Sequence, residues 1–118
     1  MRRKTNTLIP LEREILEVAI DLHRRGAPEA HGFLIARLIG DRTGARRLTA
    51  YGTLYKALDR LERAGYLASR WEDPQAAADD HRPRRRFYRV TSIGEAAGAT
   101  DARRARNAVV RRAAEPVL

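Results

Sequence analysis

Apolar positions along the first third of the chain recur at helical spacing. Leu11, Ile15, Val18, Ala19 and Leu22 share one face of a helix expected from Pro10 to Arg25. Pro10 suits the first turn, Glu12 and Glu14 favour the positive end of the helix dipole, and Arg24-Arg25-Gly26 is a stop. Leu8, Leu16 and Ile20 lie off that face and form a second stripe. An amphipathic helix on a surface needs one stripe. Two stripes leave two readings open: contact with a second subunit, or a helix deeply buried in a monomer.

A second helix is expected from Pro28 to Asp41, with Phe33, Leu34 and Leu38 inward and Ile35 and Ile39 as further inward candidates. The segment from Arg42 to Arg47, with Gly44 inside it, reads as a charged turn. Thr49 is a good N-cap for a third helix, Ala50 to Ala64, which Gly65 closes. Leu54, Leu58 and Leu61 define its buried stripe. The period then changes. Tyr66 to Glu72 reads as a strand that Asp73-Pro74 ends, Gln75 to Arg82 as a polar loop, and Arg85 to Val90 as a second strand with Tyr88 and Val90 on one face. Thr91 or Ser92 caps a last helix reaching Ala113, whose first turns Gly94 and Gly98 weaken. Three helices, a β-hairpin with a long tip and a final helix give a mainly α fold with a small hairpin, the element order of a winged helix-turn-helix. Residues 1–91 form its reading part and residues 92–118 an added helix, within one compact domain.

Composition narrows the chemistry. The chain has no cysteine, which excludes disulfides, thiolate nucleophiles and Cys-based metal sites. His23, His31 and His81 fall on three different segments without ligand spacing, so surface or solvated-loop roles are expected and no metal. Ser69 and Ser92 are the only serines, and neither a phosphate-binding glycine loop nor a nucleophile elbow is present. No catalysis and no cofactor are expected. No apolar run approaches the ~20 residues that span a bilayer, and the basic start is too short and too polar for a secretory signal, so a cytoplasmic protein without a membrane partner is expected.

Charge is the most informative bulk property. The 24 Lys and Arg against 15 Asp and Glu give a formal net charge of +9, which points to a polyanionic partner. Only Lys4 and Lys56 are lysines, and arginine's planar fork suits phosphate and guanine. A G- and C-rich genome accounts for much of the Arg-to-Lys ratio, but not for the excess of basic over acidic residues.

The run Leu48-Thr49-Ala50-Tyr51-Gly52-Thr53-Leu54-Tyr55, followed by a leucine-periodic helix, Gly65 and an apolar strand, resembles the recognition-helix segment of the PadR family of bacterial transcriptional regulators. Arg82-Pro83-Arg84-Arg85-Arg86-Phe87-Tyr88-Arg89-Val90-Thr91, with Gly94 behind it, is similar to that family's basic wing, aromatic second strand and entry to the last helix. Together the matches cover Leu48 to Gly94, about half the chain. The last helix is short, which fits the subgroup with a single C-terminal helix.

The resemblance implies DNA contacts by Tyr51, Thr53, Tyr55 and Lys56. Thr49 and Ala50 join them as the first turn of a helix whose tip enters the major groove. For Tyr55, packing against the first or second helix is an equal alternative. Arg60 is a further DNA-contact candidate, and a solvated face shared with Arg63 and paired with Asp59 and Glu62 is the alternative. Arg82, Arg84, Arg85 and Arg86 are candidates for phosphate or minor-groove contact, although alternation along a strand sends some of them away from DNA. Family members are typically homodimers reading palindromic operators. The dimer candidates here are Leu8, Leu16 and Ile20 on the first helix and Ala105, Val109 and Val110 on the last.

Some members bind flat aromatic effectors with help from tryptophan in the last helix. This helix has none, so the sequence names no effector; Trp71, the only tryptophan, is expected to pack in the core or at a sheet edge. The expected activity is sequence-specific repression from double-stranded DNA. Two alternatives stay open: a nonspecific or RNA-binding basic protein, and a winged-helix protein-interaction module whose charge is incidental.

Overall fold

A computed structural model describes residues 8–44 and 50–114. The elements are α1 (Pro10–Arg24), β1 (Ala30–His31), α2 (Gly32–Thr43), α3 (Tyr51–Arg63), β2 (Leu67–Trp71), α4 (Pro74–Asp79), β3 (Arg86–Val90) and α5 (Ser92–Ala114). The strands form one antiparallel sheet in the order β1-β3-β2, with Leu67 opposite Val90 and Trp71 opposite Arg86. This is a winged helix-turn-helix with an added C-terminal helix. The expected N-cap Thr49 lies outside the described residues, and Ala50 occupies the cap position of α3.

The core forms where α1 crosses the other helices and the sheet. Ile15, Leu16, Val18, Ile35, Leu54, Leu58 and Leu61 are all at most 2% exposed. The leucine stripe of α3 and the first stripe of α1 therefore face inward, and Leu11 and Leu22 pack at the core's margin. The second stripe of α1 is mostly core as well. Leu16 is 1% exposed and Leu8 7%, so the protomer itself covers both and they cannot serve as the expected dimer contacts. Ile20 is half-buried and packs against α5, where a side chain at Gly98 would overlap its Cδ1. Leu8 and Leu16 are thus core residues of the protomer, whereas Ile20 keeps part of its surface open.

Two short elements modify the expected layout. Ala30 and His31 pair with Tyr88 and Phe87 of β3, so the backbone is extended there and α2 starts at Gly32 rather than Pro28. His31 then serves as the N-cap, its Nδ1 accepting the Leu34 N–H at 3.2 Å, which replaces the solvated role expected of it. That shift rotates α2. Ile35, Ala36 and Ile39 fill the core, and Phe33 turns outward at 44% exposed. The expected loop after Pro74 contains α4. Asp73, read as part of a breaker, caps it by accepting the Gln75 N–H at 3.0 Å, and Pro74 occupies the first turn.

The last helix is fixed at its start. Thr91 Oγ1 donates to the Gly65 carbonyl at 2.6 Å and accepts the Gly94 N–H at 3.1 Å. A side chain at Gly94 would overlap the Tyr66 carbonyl oxygen, so this glycine permits the close approach of α5 to the end of α3. Arg13 Nε donates to Asp101 Oδ2, tying α1 to the middle of α5. From residue 103 to 113 every side chain is exposed, and the molecule measures 65 × 33 × 31 Å. The distal half of α5 projects from the domain.

Candidate nucleic-acid interface

The outward face of α3 is built by what its leucines leave over. With Leu54, Leu58 and Leu61 inward, Tyr51, Gly52, Thr53, Tyr55 and Lys56 face out from the first two turns. Tyr55 packs against the start of α2 and still keeps an exposed face. It is 43% exposed, and its hydroxyl occupies the space that a Cβ at Gly32 would need. Tyr51 is 51% exposed and stands 6.2 Å from the Tyr55 ring and 6.5 Å from Phe33, which in turn stacks on His31 at 6.4 Å. An aromatic row thus runs from the start of α3 along the front of α2.

Opposite this row stands the hairpin of β2 and β3 with α4 at its tip. Trp71 is 52% exposed at the end of β2, an edge strand of the sheet, so of its two expected places the edge is the one it takes and the core is not. Arg84 and Arg86 hold their guanidinium groups over its ring, at 5.7 and 5.2 Å from the centroid. The aromatic row and these wing residues, with Arg85, line one open groove of about 620 Å³.

The four wing arginines divide by partner. Arg82 turns inward: its guanidinium meets both oxygens of Glu72 at 2.5 and 2.7 Å and Asp80 at 3.3 Å. Arg86 is half-buried, donating to Ser69 Oγ at 3.1 Å and reaching Glu62 at 3.5 Å. Arg84 is exposed and is anchored through Nε to the Glu72 carbonyl at 2.9 Å. Arg85 is exposed, and its guanidinium has no acidic partner among the described residues. Arg60 on α3 donates to Glu12 of α1 at 2.7 Å, where Glu12 is 2% exposed. Arg63 pairs with Asp59 one turn back, as expected, whereas Arg60 reaches across to another helix. The positions expected to touch DNA therefore separate into outward groups (Ala50, Tyr51, Thr53, Tyr55, Lys56, Arg84, Arg85) and groups engaged within the protein (Arg60, Arg82, Arg86).

The electrostatics follow from these pairs. The Arg82 hydrogen bonds, helped by the Arg85 N–H, hold the Glu72 carboxyl at about 2, against burial that acts the other way. Burial, then Arg85 and Arg82, push His31 below its ordinary 6.5, which favours the neutral ring its capping bond requires. Burial raises the Tyr88 hydroxyl above its usual 10.0. Among the described residues, no group of three or more His, Cys, Asp or Glu is placed to hold a metal. No described helix is long and apolar enough to cross a membrane.

Sequence reasoning missed Phe33, His31 and Trp71 as parts of this face. All three owe their place to pairing across the sheet: β1 turns Phe33 outward, and β2 ends with Trp71 opposite Arg86.

The transcriptional regulator PadR-like family matches residues 22–100. The chain belongs to the PadR-like family. Among curated proteins no match is found. A transcriptional regulator from Clostridium thermocellum, Cth-833, is 23% identical, with 88% of this chain and 92% of that one covered at a TM-score of 0.66. A PadR-like transcription factor from Bacteroides fragilis is 27% identical over 88% of this chain and 89% of its own, at 0.62. A PadR family transcriptional regulator from Eggerthella lenta gives 22% identity, coverage of 90% and 88%, and a TM-score of 0.60. This chain thus has the fold and family of PadR-like transcriptional regulators.

Proposed function

We propose that this PadR-like regulator is a repressor that binds a palindromic operator as a homodimer. The observation that carries the reading is the common groove between the outward face of α3 and the wing. In this reading Thr49, Ala50, Tyr51 and Thr53 enter the major groove and supply base readout. Tyr55 and Lys56 flank them toward the phosphates, and Arg84 and Arg85 grip the backbone or minor groove from the wing. Arg82, Arg86 and Arg60 shape the surface and do not touch the duplex.

The homodimer rests on α5. Residues 103–113 extend α5 as a wholly exposed stretch, whereas most helical stability in proteins comes from the packing of an apolar face. Val109 and Val110 are 64% and 65% exposed, and with Ala105 they form an apolar patch on the helix surface. A second copy presenting the same face covers this patch symmetrically. Residues 92–118 then form the dimerisation element and residues 1–91 the reading part. The protein acts in the cytoplasm in this reading.

Fluorescence anisotropy with duplex DNA tests it. Arg84→Ala with Arg85→Ala is expected to weaken binding and to lower the log–log salt slope by about 2, near 0.9 per lost phosphate contact. Equal affinity for every duplex, or binding insensitive to salt and to this double substitution, contradicts specific recognition by this face.

A further inference from the structure

Glu72 is out of place by electrostatics alone. It is a carboxylate inside the basic hairpin that faces DNA in the reading above, where a negative charge opposes phosphate. Yet every polar atom it has is engaged with the wing. Its Oε1 accepts Arg82 Nη1 at 2.5 Å and the Arg85 N–H at 3.3 Å, and its Oε2 accepts Arg82 Nη2 at 2.7 Å. Its own N–H donates to the Arg85 carbonyl at 2.8 Å, and its carbonyl accepts Arg84 Nε at 2.9 Å. The side chain is only 10% exposed, and Arg82, which closes on it, 22%. One residue therefore fixes the three arginines that straddle Pro83.

We propose that Glu72 is a positioning residue for DNA binding. Its clasp on Arg82 and on the Arg85 amide sets the wing so that Arg84 and Arg85 present their guanidinium groups to the duplex backbone. The Glu72–Arg82 pair contributes no net charge to the grip. Its contribution is geometric: two bonds in fork geometry define a plane, which a single charge contact does not. Without the clasp, Arg84 and Arg85 ride on an unpinned turn and must be ordered when DNA binds, at a cost in affinity. The proposal rests on the DNA-binding reading of this face.

The test sets geometry against charge. Glu72→Gln removes the fork and also removes a negative charge that repels DNA. Arg82→Lys keeps the charge and removes the fork. We expect both to bind the preferred duplex about 10-fold more weakly than the wild type, measured at a temperature well below the melting transition of each variant. Asp79→Asn removes the same charge from α4, where Asp79 accepts only from Gln75, and is expected to bind as tightly as the wild type or a few-fold tighter.

Trp71, the single tryptophan, adjoins Glu72 and lies under Arg84 and Arg86, so its quenching by acrylamide reads wing order in the DNA-free protein. Quenching should rise in Glu72→Gln and Arg82→Lys but not in Asp79→Asn. Glu72→Gln binding as tightly as Asp79→Asn, or wild-type quenching in both fork variants, overturns the proposal. A wild-type protein that binds no duplex defeats the DNA-binding reading instead, and the quenching comparison still judges the clasp.

Discussion

Arg60 and Arg82 stand on the two segments that read DNA in the proposed complex, yet each points its guanidinium at a carboxylate of the protein. Glu12, at 2% exposed, also accepts the Ile9 N–H at 3.1 Å, so truncating Arg60 removes one charge-assisted hydrogen bond from a buried carboxylate. Arg60→Ala is therefore expected to destabilise the fold by about 1 kcal/mol, measured by chemical denaturation, and to change duplex affinity less than Lys56→Ala does. The Glu72 carboxyl carries a pH signature. Its value falls from an ordinary 4.5 to about 2 in the folded chain, so its contribution to stability is full above about pH 4.5 and fades as pH drops toward 2. Acid unfolding of Glu72→Gln should lack that part of the wild-type pH dependence. The sequence separated these residues poorly. Four wing arginines look alike in a string, and only the position of Glu72 ten residues earlier tells that one of them closes inward. Phe33 reads as core because an apolar residue beside Leu34 ordinarily is; a two-residue strand decides otherwise.

Elements with several turns of periodic sequence were legible, and elements shorter than one period were not. The leucines of α3, the face of α1 and the alternation of Tyr88 and Val90 each repeat a signal, and the structure follows them. β1 has two residues and no pattern to read. α4 was hidden by chemistry that serves two purposes, since Asp-Pro ends a strand and equally caps and opens a helix. The glycines of α5 read as weaknesses, although Gly94 and Gly98 are where the helix meets the Tyr66 carbonyl and Ile20. At this scale the distal half of α5 makes a prediction. Val109→Asp with Val110→Asp places charge in the proposed dimer face at positions that are 64% and 65% exposed. Light scattering should show monomers where the wild type shows dimers, with the melting of the reading part little changed. A wild-type protein that is monomeric at micromolar concentration removes α5 as the dimerisation element.

For the whole molecule, charge and shape point the same way. A net charge of +9 favours a polyanion, and in the proposed dimer the projecting α5 is the arm that holds two reading parts at a fixed separation. Charge alone predicts only salt-dependent attachment to any nucleic acid. What distinguishes a regulator is the pairing of an uncharged, polar α3 tip with a cationic wing: the first can discriminate bases, and the second supplies affinity. A two-fold dimer then requires a two-fold site, with half-sites about 10–10.5 base pairs apart centre to centre, or a multiple of that. Selection of duplexes bound by the full-length protein from a randomised library tests this most directly. The account predicts enrichment of an inverted repeat with that spacing, and loss of the enriched bases' advantage in Tyr51→Ala with Thr53→Ala. A library that emerges without a shared motif, or a motif unaffected by the α3 substitutions, contradicts it.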